Sequence, residues 1–337
     1  MSSSFGFSER VFSSPAEKRL AARIDRGLEQ VESSLLTDMQ FSDALADVTA
    51  RYLLEAGGKR VRPTLTLLTA HLGGGVNDDV VAVARGIELI HLASLYHDDV
   101  MDDASMRRGV PSAQAVWGNS VAILTGDLLF ARASQLVSSM GEDAIRMQAD
   151  TFERLCLGQL HETVGPHENE DPVAHYIQVL SDKTGSLIGT AAEIGVLFGG
   201  APSEFRPALR EFGEKIGIAF QLIDDVIDLS PAAEETGKKA GTDLRVGVVT
   251  LPLLYLQADA VDDADAAALL ARLDPSVDDQ AFDAAVAELR AHPVTRRTVE
   301  EAHRWSREAV AALDVLPDSA VKKALTRFAD SIVERSS

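Results

Sequence analysis

The stretch from Leu89 to Pro111 reads LIHLASLYHDDVMDDASMRRGVP. An uncharged, mostly apolar run, Leu89 to Tyr96, ends in four carboxylates: Asp98, Asp99, Asp102 and Asp103. Arg107 and Arg108 follow. Bare carboxylates this close repel one another, and some are forced neutral unless a cation sits among them. On a helix, positions four apart lie one above the other, which stacks Asp98 with Asp102 and brings Asp99 partly alongside. Such a set of hard oxygen donors suits Mg²⁺ better than zinc. The arginines suit phosphate.

One such cluster alone reads equally well as a solvated acidic helix end. A second cluster, Asp224-Asp225-Val226-Ile227-Asp228, repeats the DDxxD spacing after another apolar run. A glycine-led basic stretch, Gly57-Gly58-Lys59-Arg60-Val61-Arg62-Pro63, precedes both. Two carboxylate sets and two basic stretches describe a site for two diphosphates.

The elements that must hold these residues are helical. Of 337 residues, 46% are hydrophobic, ample for a core, and alternating β-branched runs are missing. The chain is expected to be all-α, a single large antiparallel bundle with a central cavity. Residues 1–13 are expected to be a flexible N-terminal segment and 14–337 one domain. Ser14-Pro15-Ala16-Glu17 reads as a capping box opening a helix to about Leu36. Further helices are expected at about Phe41 to Ala56, from Pro63 to the Gly73-Gly74-Gly75 turn, from Asn77 into the first cluster, Asn119 to Met140, Glu142 to Val164 and Val173 to Phe198. Gly185 and Gly189 predict a kink or close approach in the last of these, next to Lys183-Thr184. Ser203-Glu204 opens the helix ending in the second cluster, and Pro231 to Val249 reads as a functional loop. Three or four amphipathic helices complete the chain.

The formal charge of −20 argues against a nucleic-acid partner. The single cysteine, Cys156, excludes an internal disulfide framework and fits a reducing compartment. No signal peptide and no uncharged apolar run of membrane-spanning length is found, so the protein is expected to be cytoplasmic, with a lipid-like product bringing it transiently to a membrane surface. If the acidic clusters face each other across a cavity, each holds Mg²⁺ against a shared diphosphate, whose departure leaves an allylic cation protected from water. On the helix below Asp98, Ser94, His91 and Ile87 lie near one face, and small Ser94 leaves space there.

GGKRVRP, the DDxxD at Asp98-Asp99-Asp102 with its RRGVP, Lys183-Thr184, and FQLIDDVID followed by GKKAGTDL resemble the trans-prenyl diphosphate synthases. These motifs span about Gly57 to Pro252. The chain is most similar to the bacterial long-chain polyprenyl diphosphate synthases, which build quinone side-chain precursors. The resemblance implies a Mg²⁺-dependent transferase joining isopentenyl diphosphate head-to-tail with an allylic diphosphate, repeatedly. It implies Asp98, Asp102, Asp224 and Asp228 as metal ligands, with Asp99 and Asp225 in the same shells. Arg107, Lys183, Gln221 and Lys238 would contact the allylic diphosphate. Lys59, Arg62, His91 and Arg108 would hold isopentenyl diphosphate, with Arg60 nearby. Thr184 and Gln221 would stabilise the cation, and the released diphosphate would accept the proton.

Asp103 reads equally as a cap or a ligand, Asp243 as a partner of the metal site, and His97 as structural. Valine at 248 departs from the lysine many members carry there. Small Ala93 and Ser94, at the positions where bulk limits product length in this family, imply an open tunnel and a product of roughly thirty to fifty carbons. Its floor would lie at Ile87, Ile90 or the helix of Leu128, Leu129 and Phe130. Family members are mostly homodimers, and Asn119 to Met140 is the candidate interface. The alternatives are a shorter-chain farnesyl or geranylgeranyl diphosphate synthase, a class I terpene synthase, a non-catalytic partner subunit and a helical cation binder. GGKRVRP argues against the cyclase, and the two intact acidic motifs against the partner subunit.

Overall fold

The computed structural model describes residues 14–230, 240–274, 276 and 278–334. The expected flexible segment at 1–13, together with Lys238 and Lys239, lies outside the described residues. Among those described, the regular structure is helical apart from one hairpin of two two-residue strands. They fall into two compact units. The first comprises Met1–Arg154, Leu187–Gly213 and Ala312–Leu325; the second comprises Leu155–Ser186, Glu214–Ala311 and Thr326–Ser337.

In the first unit, α1 (Pro15–Asp38) opens on the capping box, with Ser14 Oγ accepting from the Glu17 N–H and Glu17 accepting from the Ser14 N–H. Two such bonds satisfy two of the donors a helix start leaves free. Helices α2 (Ala44–Glu55), α3 (Val61–Ala70) and α4 (Asp78–Met101) follow. The Asn77 side chain caps α4 through the Val80 N–H at 2.8 Å. The Ala104 to Pro111 connection, read from the sequence as a loop, folds into a hairpin. Strand β1 (Met106–Arg107) pairs antiparallel with β2 (Val110–Pro111). Its two turn residues, Arg108 and Gly109, have φ of 53° and 80°, the left-handed pair a tight hairpin turn demands. Short α5 (Ala113–Trp117) leads into α6 (Asn119–Ser138) and α7 (Glu142–Val164).

α6 is long and apolar enough to cross a membrane by length and composition alone. Asp127 and Arg132 interrupt it, and it packs along α4. Gly126 makes that packing possible: a Cβ there would come within 2.3 Å of His97 Nε2 and 3.1 Å of the Ala93 carbonyl oxygen. His97 therefore faces α6, its Nε2 3.0 Å from the Ile123 carbonyl oxygen, which suits the structural role expected of it.

In the second unit, α8 (Pro172–Leu180) runs into a π turn at Ser181–Gly185; the chain continues as α9 (Ser186–Phe198), which from Leu187 on belongs to the first unit. The expected kink is this π turn. A Cβ on Gly185 would sit 2.8 Å from the Glu214 carbonyl oxygen of α10 (Phe205–Asp228). Beyond α10 come α11 (Thr242–Arg245), α12 (Leu251–Asp259), α13 (Ala264–Leu270), α14 (Asp279–Ala291), α15 (Pro293–Ala312) and α16 (Ala320–Val333).

One buried contact ties the early helices to the helix of the first acidic cluster. Tyr96 of α4 is fully buried, donates its hydroxyl proton to the Thr49 carbonyl oxygen of α2, and accepts from the Leu53 N–H at 3.3 Å. Tyr96→Phe keeps the ring and removes both bonds, while Thr49 and Leu53, four apart in α2, remain helical partners of each other. Stability in urea unfolding is expected to fall by about 0.5–1.5 kcal/mol; an unchanged midpoint would show that α2 and α4 are held by packing alone.

Candidate functional site

In the first unit the glycine-led stretch is a left-handed loop, with φ of 97° at Gly57, 145° at Gly58 and 46° at Arg60. Two guanidinium groups pack against it. A Cβ on Gly58 would lie 2.6 Å from Arg60 Nη1 and 2.9 Å from both Cζ and Nη2 of Arg108, which is why glycine stands there. Arg60 donates to the carbonyl oxygens of Leu54 at 3.1 Å and Gly57 at 3.2 Å, to Glu32, and to Glu88 at 3.2 Å. Its side chain is 2% exposed. The structure thus uses Arg60 as an internal strut, where the sequence reading placed it beside the substrate. The hairpin turn brings Arg108 Nη1 back to the Leu53 carbonyl oxygen at 2.7 Å and to that of Gly57.

Arg62 and His91 stand half-buried in the same neighbourhood. Burial, with the nearby Arg108, lowers the pKa of Arg62 to about 10 against the pull of Glu88 and Asp98. Arg62 Nε is buried without a protein hydrogen-bond partner, an uncompensated donor that suits an anionic ligand. His91 is held well below the usual imidazole range by burial and then by Arg62 and Arg108, so it is neutral at physiological pH. Lys59 is exposed at the loop. Lys59, Arg60, Arg62, His91 and Arg108 therefore all lie in the first unit.

The first acidic cluster divides by position. Asp98 is half-buried and Asp102 exposed, whereas Asp99 is fully buried. Asp99 Oδ1 accepts from Arg107 Nε at 2.6 Å, and its buried Oδ2 has no donor. Burial raises the Asp99 pKa and Arg107 opposes the rise. Asp103 is exposed, with φ of 49° just past the helix. On α4, Ser94 turns its hydroxyl back to the His91 carbonyl oxygen at 2.9 Å, while Ala93, Ile87 and Ile90 are buried. Ala93 lies on the side packed against α6, where Leu129 is also buried. Leu128 is exposed, and Phe130 stacks with Phe152 at 4.3 Å between ring centres.

The second cluster, in the second unit, repeats this division. Asp224 and Asp228 are half-buried, and Asp225 is buried. Tyr176 Oη donates to Asp225 Oδ2 at 2.8 Å, and the Leu251 N–H at the start of α12 also bonds to this carboxyl. Burial pushes the Asp225 pKa up to about 8, with the charges of Asp243 and Asp224 adding to it. Asp243 is brought to this cluster as expected: its backbone N–H donates to Asp228 Oδ2 at 3.1 Å. Lys183 sits in the π turn with Nζ 2.5 Å from Glu162 Oε2. Thr184 and Gln221 are half-buried. Sequence reasoning missed Glu32, Glu88 and Tyr176; the only signal for Glu88 was a carboxylate inside the apolar run of α4, which buries only with a partner.

The donor set fits Mg²⁺ in kind. Among the described residues, no three His, Cys, Asp or Glu side chains are gathered closely enough to hold an ion alone.

Comparison with known proteins bears on the whole arrangement. The family described as Polyprenyl synthetase matches residues 43–289. A nonaprenyl diphosphate synthase of Mycobacterium tuberculosis is 44% identical over 317 residues, 94% of each chain. The crystal structure of a decaprenyl diphosphate synthase from Rhodobacter capsulatus superposes with a TM-score of 0.84 at 33% identity, covering 95% of this chain and 99% of that one. A geranylgeranyl pyrophosphate synthase from Corynebacterium glutamicum, crystallised with calcium and isoprenyl diphosphate, gives 0.83 at 41% identity over 96% and 98%. With the expected motifs, the all-α fold and this match over most of its length, the chain belongs to the polyprenyl synthetase family of prenyltransferases.

Proposed function

We propose that the chain extends an allylic diphosphate with successive isopentenyl units to an all-trans product of about thirty to fifty carbons. The observation that carries the length is the small pair Ala93 and Ser94 above buried Ile87 and Ile90 on α4. The nonaprenyl and decaprenyl relatives support the long class. The similarly close geranylgeranyl synthase keeps the shorter product as the second reading.

The residue roles belong to the same proposal. Asp98, Asp102, Asp224 and Asp228 carry about two or three Mg²⁺ ions. When bound, Mg²⁺ neutralises the charge that develops on the departing diphosphate. Asp99 and Asp225 belong to the same sets and fix neighbouring elements through Arg107 and Tyr176. Arg107, Lys183 and Gln221 bind the allylic diphosphate, with Lys238 assigned there from the sequence alone. Lys59, Arg62, His91 and Arg108 bind isopentenyl diphosphate. Thr184 and Gln221 stabilise the allylic cation through the dipoles of their oxygens. The released diphosphate takes the proton.

We propose one domain, since every boundary between the two compact units falls inside a helix. We also propose a cytoplasmic homodimer, supported by Ile123, Leu124 and Leu128 exposed along α6.

Three outcomes are expected. Protein incubated with Mg²⁺, labelled isopentenyl diphosphate and farnesyl or geranylgeranyl diphosphate should give a narrow long-chain distribution by mass spectrometry, abolished by EDTA and restored by Mg²⁺. A C15 or C20 product would keep the chemistry and refute the open tunnel. Ala93→Tyr and Ser94→Phe should each shorten the product; unchanged length in both would remove the tunnel from this face of α4. In metal-free protein Asp225 holds its proton to about pH 8 when folded and ionises near the ordinary carboxylate value when unfolded. The folded state then binds the extra proton, so Tm should decline as pH rises from about 5 to 8. Asp225→Asn should flatten that decline; an identical slope in the variant would refute the assignment.

A further inference from the structure

Glu88 is a buried group that no reading of the reaction uses. Its side chain is 2% exposed, on α4. Burial raises its pKa, and Arg60, Arg62 and Arg108 all pull it down, with Glu32 opposing. It bonds only one of these, Arg60 Nη1, at 3.2 Å. Arg60 in turn spends its remaining donors on Glu32 and on the carbonyl oxygens of Leu54 and Gly57. Those two carbonyls flank the start of the loop that presents Lys59 and leads into Arg62. Arg108 grips the same loop from its other side, through Leu53 and Gly57.

We propose that Glu88 is a positioning residue for the isopentenyl diphosphate subsite, acting through Arg60 on the Gly57-Gly58-Lys59 loop. Two consequences separate this from a purely structural buried pair. Without the Glu88 carboxylate, the one counter-charge left to Arg60 is Glu32, 36% exposed, and its hold on the Leu54 and Gly57 carbonyl oxygens slackens, loosening the loop. Also, Arg62 and Arg108 lose the negative charge that lets them stand close together without a ligand. Both effects fall on the diphosphate held by this loop and leave the allylic diphosphate, assigned to other residues, unaffected.

The inference rests on the diphosphate-site assignment above, and the test keeps the two apart. Wild-type protein must first bind isopentenyl diphosphate by calorimetry; absence of that heat removes the site assignment itself. Given that binding, Glu88→Gln should raise KM for isopentenyl diphosphate about tenfold or more, with kcat and the allylic KM changed less than about threefold. The calorimetric affinity for isopentenyl diphosphate alone should fall in parallel. Glu32→Gln, at the more exposed end of the strut, should shift the same KM in the same direction by a smaller factor, and it decides the matter should Glu88→Gln not fold. A lower Tm with both KM values unmoved, or moved equally, would overturn the proposal.

Discussion

The arrangement depends on holding like charges together before any substrate arrives. Arg60, Arg62 and Arg108 all act on one buried carboxylate, Glu88, and two of the three pack against Gly58. A cluster of guanidinium groups with no counter-charge would spread apart or lose charge. Breaking a buried pair by deleting one partner typically costs about 3–5 kcal/mol, because the other charge is left uncompensated. The loop conformation follows from this constraint. Glycine is needed where two guanidinium groups approach the backbone, and the left-handed turn at Arg108 and Gly109 returns the hairpin to the Leu53 and Gly57 carbonyl oxygens.

The acidic clusters answer the same problem with the opposite sign. Each is a run of carboxylates in which the second member is withdrawn into the protein. Asp99 takes Arg107, and Asp225 takes Tyr176 and the Leu251 N–H. The first and fifth members stay nearer solvent in both, from half-buried Asp98, Asp224 and Asp228 to exposed Asp102. The DDxxD spacing thus carries two jobs: oxygen donors on the accessible side of the helix, and an anchor on its buried side. Each anchor fixes a cationic or hydroxyl-bearing neighbour, Arg107 in one case and Tyr176 in the other.

Much of this was legible in the sequence because the signals were local. The capping box at Ser14, the cap at Asn77, the α7 limits and the disturbance near Gly185 all follow from short-range backbone chemistry. The motifs placed Lys59, Arg60, Arg62, His91 and Arg108 in one unit because the first three lie within four residues and the others on the helix and hairpin that follow. What was not legible depends on distance in space. Nothing near Arg60 in the sequence says that Glu32 and Glu88, each 28 residues away, will absorb its donors. Tyr176 reads as an ordinary helix residue until it meets Asp225, 49 residues on. The hairpin escaped notice because its strands are two residues long, too short for any alternation to register.

The central claim is that two diphosphates are held by unlike means, one by metal on carboxylates and one by fixed cations. The most direct measurement is calorimetric titration of the wild-type protein with each diphosphate separately, in Mg²⁺ and in EDTA. Isopentenyl diphosphate should bind in both conditions, with affinity falling as salt is raised. A non-hydrolysable allylic analogue should bind in Mg²⁺ and lose its heat in EDTA. Loss of both ligands in EDTA, or retention of both, would contradict the division.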